Sequence, residues 1–233
     1  MRNNLLVVAL LWVFVVPVFA AESGQPVPAW ELSSDAQGIR IWTRQIPGHP
    51  VKDFRALMTV DAPMATVVAT LTDVNTFPHW FWMMNEARVL EGVALDDAYL
   101  YFSLKPIWPV SARDTVIRAR VSQDPSTLAV SIDVHAEPGR IPPVKDHVRI
   151  PAMKSGWKLT PLSKTQTSLE LIGHADPGGY IPLWLANMVV TVMPKETFKK
   201  LRRHLLDPRY REPEAMYGQN PMLRDLMGRI SMP

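Results

Sequence analysis

A chain of 233 residues, 47% of them hydrophobic, can bury one sizeable core and is too apolar to remain disordered. A net charge of +3 is too small to argue for nucleic acid as a partner. There is no cysteine, so no disulfide staples the fold, and 22 prolines against 11 glycines point to rigid turns and strand edges.

Residues 1–20 read as a secretory signal peptide. Arg2 gives a positive start, residues 5–16 are unbroken apolar sequence, and Val18-Phe19-Ala20 ends on a small residue. Cleavage after Ala20 would deliver an exported chain, periplasmic or secreted, with a folded domain over 21–206 and a tail over 207–233. An uncleaved anchor is the alternative, but the apolar run is short of the ~20 residues that a membrane span wants.

Strand composition begins at residue 38. GIRIWTRQ (38–45) alternates Ile39, Ile41 and Thr43 against Arg40, Trp42 and Arg44, and KDFRALMTV (52–60) follows across Pro47-Gly48, so the two read as a hairpin. Asp61-Ala62-Pro63 starts a helix that reaches about Val74. The aromatics Phe77, Trp80, Phe81 and Trp82 plug one end of a core or touch a ligand. Residues 87–93, 99–104 and 115–122 have strand composition. In 128–136 Leu128, Val130, Ile132, Val134 and Ala136 face one way while Ala129, Ser131, Asp133 and His135 face the other, the signature of an antiparallel sheet with one wet face. Residues 147–151, 156–160 and 167–174 complete a set of six or seven strands after the helical insert. Short connections require antiparallel neighbours, so the class is α+β.

A long helix then starts at Pro182. Residues 183–193 are apolar on nearly every side, which predicts burial all round; Pro194 should kink or divide the rod. Beyond it Phe198, Leu201 and Leu205 line one face. Seven positive residues between 195 and 211 make either a solvated helix face or an attraction for anionic lipid head groups. The tail is punctuated by proline and reads as peripheral, with one short helix near 222–230.

Catalytic signals are weak. His135-x-Glu137 and His174-x-Asp176 are the only metal or triad fragments, and there is no HExxH, no nucleophile elbow and no phosphate loop. No catalytic residue, metal or cofactor is expected. The stiff loop KPIWPVSARD (105–114) instead displays Ile107 and Trp108, and a second loop displays Tyr180 and Ile181. Tyrosine and tryptophan settle at membrane interfaces because each joins an apolar body to a polar edge.

The sequence resembles a START domain, the StAR-related lipid-transfer fold. The matching residues are Trp30, Gly38-Ile39 and Trp42; Trp108-Pro109-Val110-Ser111-Ala112-Arg113-Asp114; Asp176-Pro177-Gly178-Gly179-Tyr180-Ile181-Pro182 running into Asn187; and Leu201-Arg202. The resemblance covers about residues 30–206. It implies a helix-grip architecture: a curved antiparallel sheet wrapped around the long C-terminal helix, with a helical insert after the first strands. It also implies a tunnel for one lipid or sterol and transient membrane contact through Ile107, Trp108, Tyr180 and Ile181. Arg113 matches a buried arginine, for which Asp96, Asp97, Asp114 or a lipid head group would be the partner. The expected ligand contacts are Phe102, Arg113, Val130, Ile132, Leu171, Asn187, Val190 and Thr191. The expectation is a monomeric, non-catalytic carrier of a phospholipid, fatty acid or sterol-like lipid. The alternative is a cyclase- or hydrolase-like enzyme of the same superfamily, for which His135, Asp133 or Arg113 would have to face the tunnel.

Overall fold

The computed structural model describes residues 28–90, 97–210 and 221–232. The expected signal peptide, Asp96 and residues 211–220 lie outside the described residues. β1 (Glu31–Ala36), β2 (Ile39–Arg44) and β3 (Asp53–Val60) precede two helices, α1 (Met64–Thr72) and α2 (Phe77–Trp80). Then come β4 (Met84–Val89), β5 (Asp97–Leu104), β6 (Arg113–Gln123), β7 (Val130–Ala136), β8 (Val148–Arg149), β9 (Ala152–Ser163) and β10 (Gln166–Asp176). The long helix α3 (Leu183–His204) and a short helix α4 (Pro221–Arg229) close the set.

Nine strands form one curved sheet in the order β1-β2-β3-β10-β9-β7-β6-β5-β4, every neighbour antiparallel, and β8 adds a short parallel pairing to β6. Burial alternates along the strands. Ile39, Ile41 and Thr43 on β2, Phe54, Ala56, Met58 and Val60 on β3, and Val130, Ile132 and Val134 on β7 all turn inward. The sheet therefore has one dry, concave face, against which α1, α2 and α3 pack. Trp80, 1% exposed, stands between Phe77, Phe81 and Trp157, and Trp157 in turn meets Phe198 of α3. The aromatic cluster of the insert thus ties helices to sheet.

Four expectations need correction. The first strand, β1, was not foreseen; it is an edge strand, exposed along most of its length, and it joins β2 through Gln37 and Gly38, both at positive φ, the two-residue hairpin geometry. The strand alternation of 128–136 starts only at Val130, because Leu128 sits at φ 58° in the turn, where its N–H donates to the Asp124 carbonyl. Helix α3 runs unbroken through Pro194, and its first half is not buried all round: Leu185, Ala186 and Val190 face the protein while Leu183, Trp184 and Met188 face out.

The fourth correction is the tail, which among its described residues sends Tyr210, Leu226 and Ile230 into the core. Tyr210 is fully buried; its hydroxyl donates to Asp73, its carbonyl accepts from the Thr66 hydroxyl, and burial pushes its pKa up to about 12. Leu226 and Ile230 are buried in the same core cluster as α1. Gln123, at the end of β6, exchanges two hydrogen bonds with the Ser231 backbone. Leu226→Ala should therefore lower stability by about 2–5 kcal/mol, as truncation of a buried leucine does. Urea denaturation would check this; a loss within about 0.5 kcal/mol, normal for a surface site, would restore the peripheral reading.

Candidate functional site

Register on the concave face sets out the site. Phe54 of β3 lies opposite Gly173 of β10, Gly173 opposite Ser155 of β9, Ser155 opposite Val134 of β7, Val134 opposite Ala119 of β6, and Ala119 opposite Ala98 of β5. From Gly173 to Ala98 this row carries only small or short side chains. With strands ~4.8 Å apart, its four gaps span roughly 19 Å. Helices resting on taller residues at either side leave a void above the row.

That void is a cavity of about 170 Å³ open to the centre of a water-sized sphere, an order of magnitude above the ~10–15 Å³ that a single water needs. Its floor is the row of small residues with Leu171, Trp157 and Ile132 beside it; Leu71, Phe77 and Phe81 come from the helical insert, and Met193 is the only contribution of α3. Among the described residues no lysine, arginine, aspartate or glutamate lines it. A lining this largely apolar favours an uncharged apolar group, since an ionised one would lose its hydration with little compensation.

Of the expected ligand contacts, Phe102, Ile132 and Leu171 line the cavity. Val130 shares the inward face of β7 but is wholly packed in the core. Asn187, Val190 and Thr191 do not line it. Val190 is buried away from it, and the Asn187 side-chain oxygen accepts a hydrogen bond from the Lys52 N–H at 3.4 Å. Contacts not foreseen are Phe54, Gly173, Ser155 and Met193, together with the insert residues Leu71 and Thr72; Phe77 and Phe81 border the void, as the ligand-touching reading of the aromatic cluster allowed. The signal for the floor was present as alanines at inward strand positions.

Arg113 also lies off the cavity, and among the described residues no carboxylate pairs with it. Its guanidinium donates to the carbonyls of Ser111, Gly178 and Tyr180, so it stitches the 105–112 loop to the 177–182 loop. It is 7% exposed, and desolvation lowers its pKa. The expected acids are engaged elsewhere: Asp97 pairs with Arg118 and Arg120, and Asp114, 1% exposed, makes a two-pronged pair with Arg149. Arg149 spends its remaining donors on the carbonyls of Pro138, Ile141 and Pro142. Gly178 has to be glycine, because at φ 67° a Cβ would stand 2.6 Å from the Arg149 carbonyl oxygen.

The stitched loops hold two aromatic side chains in solvent: Trp108 is 90% exposed and Tyr180 86%. Ile107 and Ile181 are half-buried beside them, and Ile107 and Val110 exchange backbone hydrogen bonds that close the loop tip. The outward residues Leu183, Trp184 and Met188 of α3 follow Tyr180 directly and extend this apolar surface. The basic residues farther along α3 are spread around the helix: Lys199 pairs with Glu196, and Arg202 donates to the Gln37 carbonyl.

The residues required for a catalytic reading are scattered. His135 and Asp133 are exposed on the outer face of β7. His174 borders the cavity, with Nδ1 2.7 Å from Asp53, while Asp176 accepts instead from the Gly178 N–H. Among the described residues no group of His, Cys, Asp or Glu could hold a metal ion.

Comparison with known proteins agrees with this geometry. The START domain family matches residues 18–209. A crystal structure of a StAR-related lipid transfer protein from Xanthomonas axonopodis, a fragment of that protein, is 35% identical, with a TM-score of 0.70 over 76% of this chain and 98% of that one. An uncharacterised protein of Pseudomonas aeruginosa is 30% identical over 82% of this chain and 93% of its own length. Human STARD10 has the same fold at 18% identity, with a TM-score of 0.72 over 86% of this chain and 82% of that one.

Two variants test the stitched loops. Arg113→Lys keeps the charge but loses the planar fork that reaches three carbonyls. Amide hydrogen exchange in 105–112 and 177–182 should speed up together, while β7 stays protected. Asp114→Ala leaves the half-buried Arg149 without its carboxylate and should cost about 1.5–3 kcal/mol in denaturant unfolding.

Proposed function

This chain belongs to the START domain family, and on that premise we propose that it is a non-catalytic carrier that binds a single hydrophobic ligand and passes it to and from membranes. The observation that supports this most is the largely apolar cavity between sheet and helical insert. Binding there needs no reacting group: each methylene taken out of water contributes about 0.8 kcal/mol, so one long hydrocarbon chain suffices for firm retention. A charged or strongly polar head group would remain at the cavity's edge.

Trp108 and Tyr180, with Leu183, Trp184 and Met188, are the membrane contact in this reading. Water-exposed aromatic and aliphatic groups gain by entering the interfacial layer of a bilayer. No helix among the described residues is long and apolar enough to cross a membrane. Because Arg113 fastens both loops to β6, contact with lipid is transmitted to the sheet that floors the cavity. The first twenty residues would direct the chain out of the cytoplasm, where it would act as a monomer.

The test is mass spectrometry of small molecules extracted from the mature chain, residues 21–233, purified without detergent. A stoichiometric lipid or other hydrophobic compound is expected. A protein that is empty and takes up no member of a broad lipid panel would refute the carrier reading. Changing Trp108 and Tyr180 to serine should leave the bound compound in place and reduce vesicle association at least about tenfold, since two interfacial aromatics are lost; unchanged association would remove the membrane-contact assignment.

A further inference from the structure

One close approach marks the β3–β10 side of the cavity. Gly173 has no side chain, and the Phe54 ring of the neighbouring strand fills the space where one would stand: a Cβ on Gly173 would lie 2.6 and 2.7 Å from two ring carbons of Phe54. Such distances do not occur between real atoms, so the ring and the absent side chain are alternatives. The ring covers Gly173, and the rest of the row, Ser155, Val134, Ala119 and Ala98, lines the same cavity. We propose that Phe54, seated on Gly173, is the end stop that sets the length of apolar chain this cavity accepts. The proposal rests on the carrier reading above and names its ligand class: a straight, uncharged hydrocarbon segment laid across the strands.

The surroundings of Phe54 make its position consequential. On its other side Thr43 of β2 faces inward and is buried, and Gly173 is flanked beyond by Ser155, whose hydroxyl is held by the Ile172 carbonyl. A ring displaced from Gly173 thus has no room sideways along the sheet. It turns off the sheet, into the cavity it borders. The backbone at Gly173 is not at positive φ, so alanine is conformationally acceptable there and acts only through its methyl group.

The experiment uses ligand-stripped mature chain and a homologous series of straight-chain alcohols from octanol to eicosanol, with binding read by native mass spectrometry. In the wild type, affinity should climb about fourfold per methylene and level off once the chain fills the cavity. Gly173→Ala should move the levelling point to a shorter alcohol, and Phe54→Ala should move it to a longer one. The double variant should behave as Phe54→Ala does, because the added methyl has no ring left to displace. The same levelling point in wild type and Phe54→Ala would overturn the proposal, even if Gly173→Ala proved too unstable to purify. A wild type that binds no alcohol of any length would overturn the carrier reading and this inference with it; normal binding with an unchanged levelling point would overturn the inference alone.

Discussion

A sheet of nine paired strands with one dry face must have that face covered, and a single helix is too narrow to cover it. The molecule meets this constraint by dividing the work. α3 lies over β2 and β3, while α1, α2 and the tail roof the remainder. Trp80, Trp157 and Phe198 stand where these covers meet. Between them the inward row of glycine, serine, valine and alanine is too short to reach the roof, and unfilled apolar space results. Such a void forgoes dispersion contacts on every atom that lines it, and a ligand restores them. Stability and function are thus set by the same missing volume.

Two adjacent residues show how charge is managed around that void. Arg113 and Asp114 start β6 and point to opposite sides of it. Asp114, buried, meets the two-pronged Arg149, whereas among the described residues Arg113 meets only carbonyl dipoles. A guanidinium is suited to this because its planar donors reach several carbonyls at once and its charge is spread out. The cost of burying it is offset by the hydrogen bonds with which it joins the two loops. Those loops carry the exposed aromatics, so a polar knot holds an apolar surface in place.

The sequence made the middle strands legible because each has one wet face: in 130–136 polar and apolar residues alternate without a break. The helical insert was marked by Pro63, and α3 by its length. What could not be read depends on register or on distant partners. β1 carries ELSSDA, with little to bury, and exists because Gln37-Gly38 turns it onto β2. The cavity floor comes together from five strands, and its residues look like isolated small side chains until the pairings are known. Asn187 and Thr191 share a helix face, yet that face looks away from the void. Arg113 invited the search for an acid, but carbonyl groups leave no trace in sequence. The tail looked polar by composition, and only the packing of Leu226 and Ile230 on α1 reveals its place.

That tail has a consequence for how the molecule comes into being. The Gln123–Ser231 pairing joins positions 108 residues apart, and the Thr66–Tyr210 bond joins positions 144 apart. Both contacts wait for the C-terminal residues, so they are made last as the chain emerges. A chain that emerges from its N-terminal side completes α1 and all ten strands well before Leu226 and Ile230 arrive. For that interval the apolar ground which those residues later cover stands open to water. Such a half-finished molecule is a client for any factor that shields exposed hydrophobic surface.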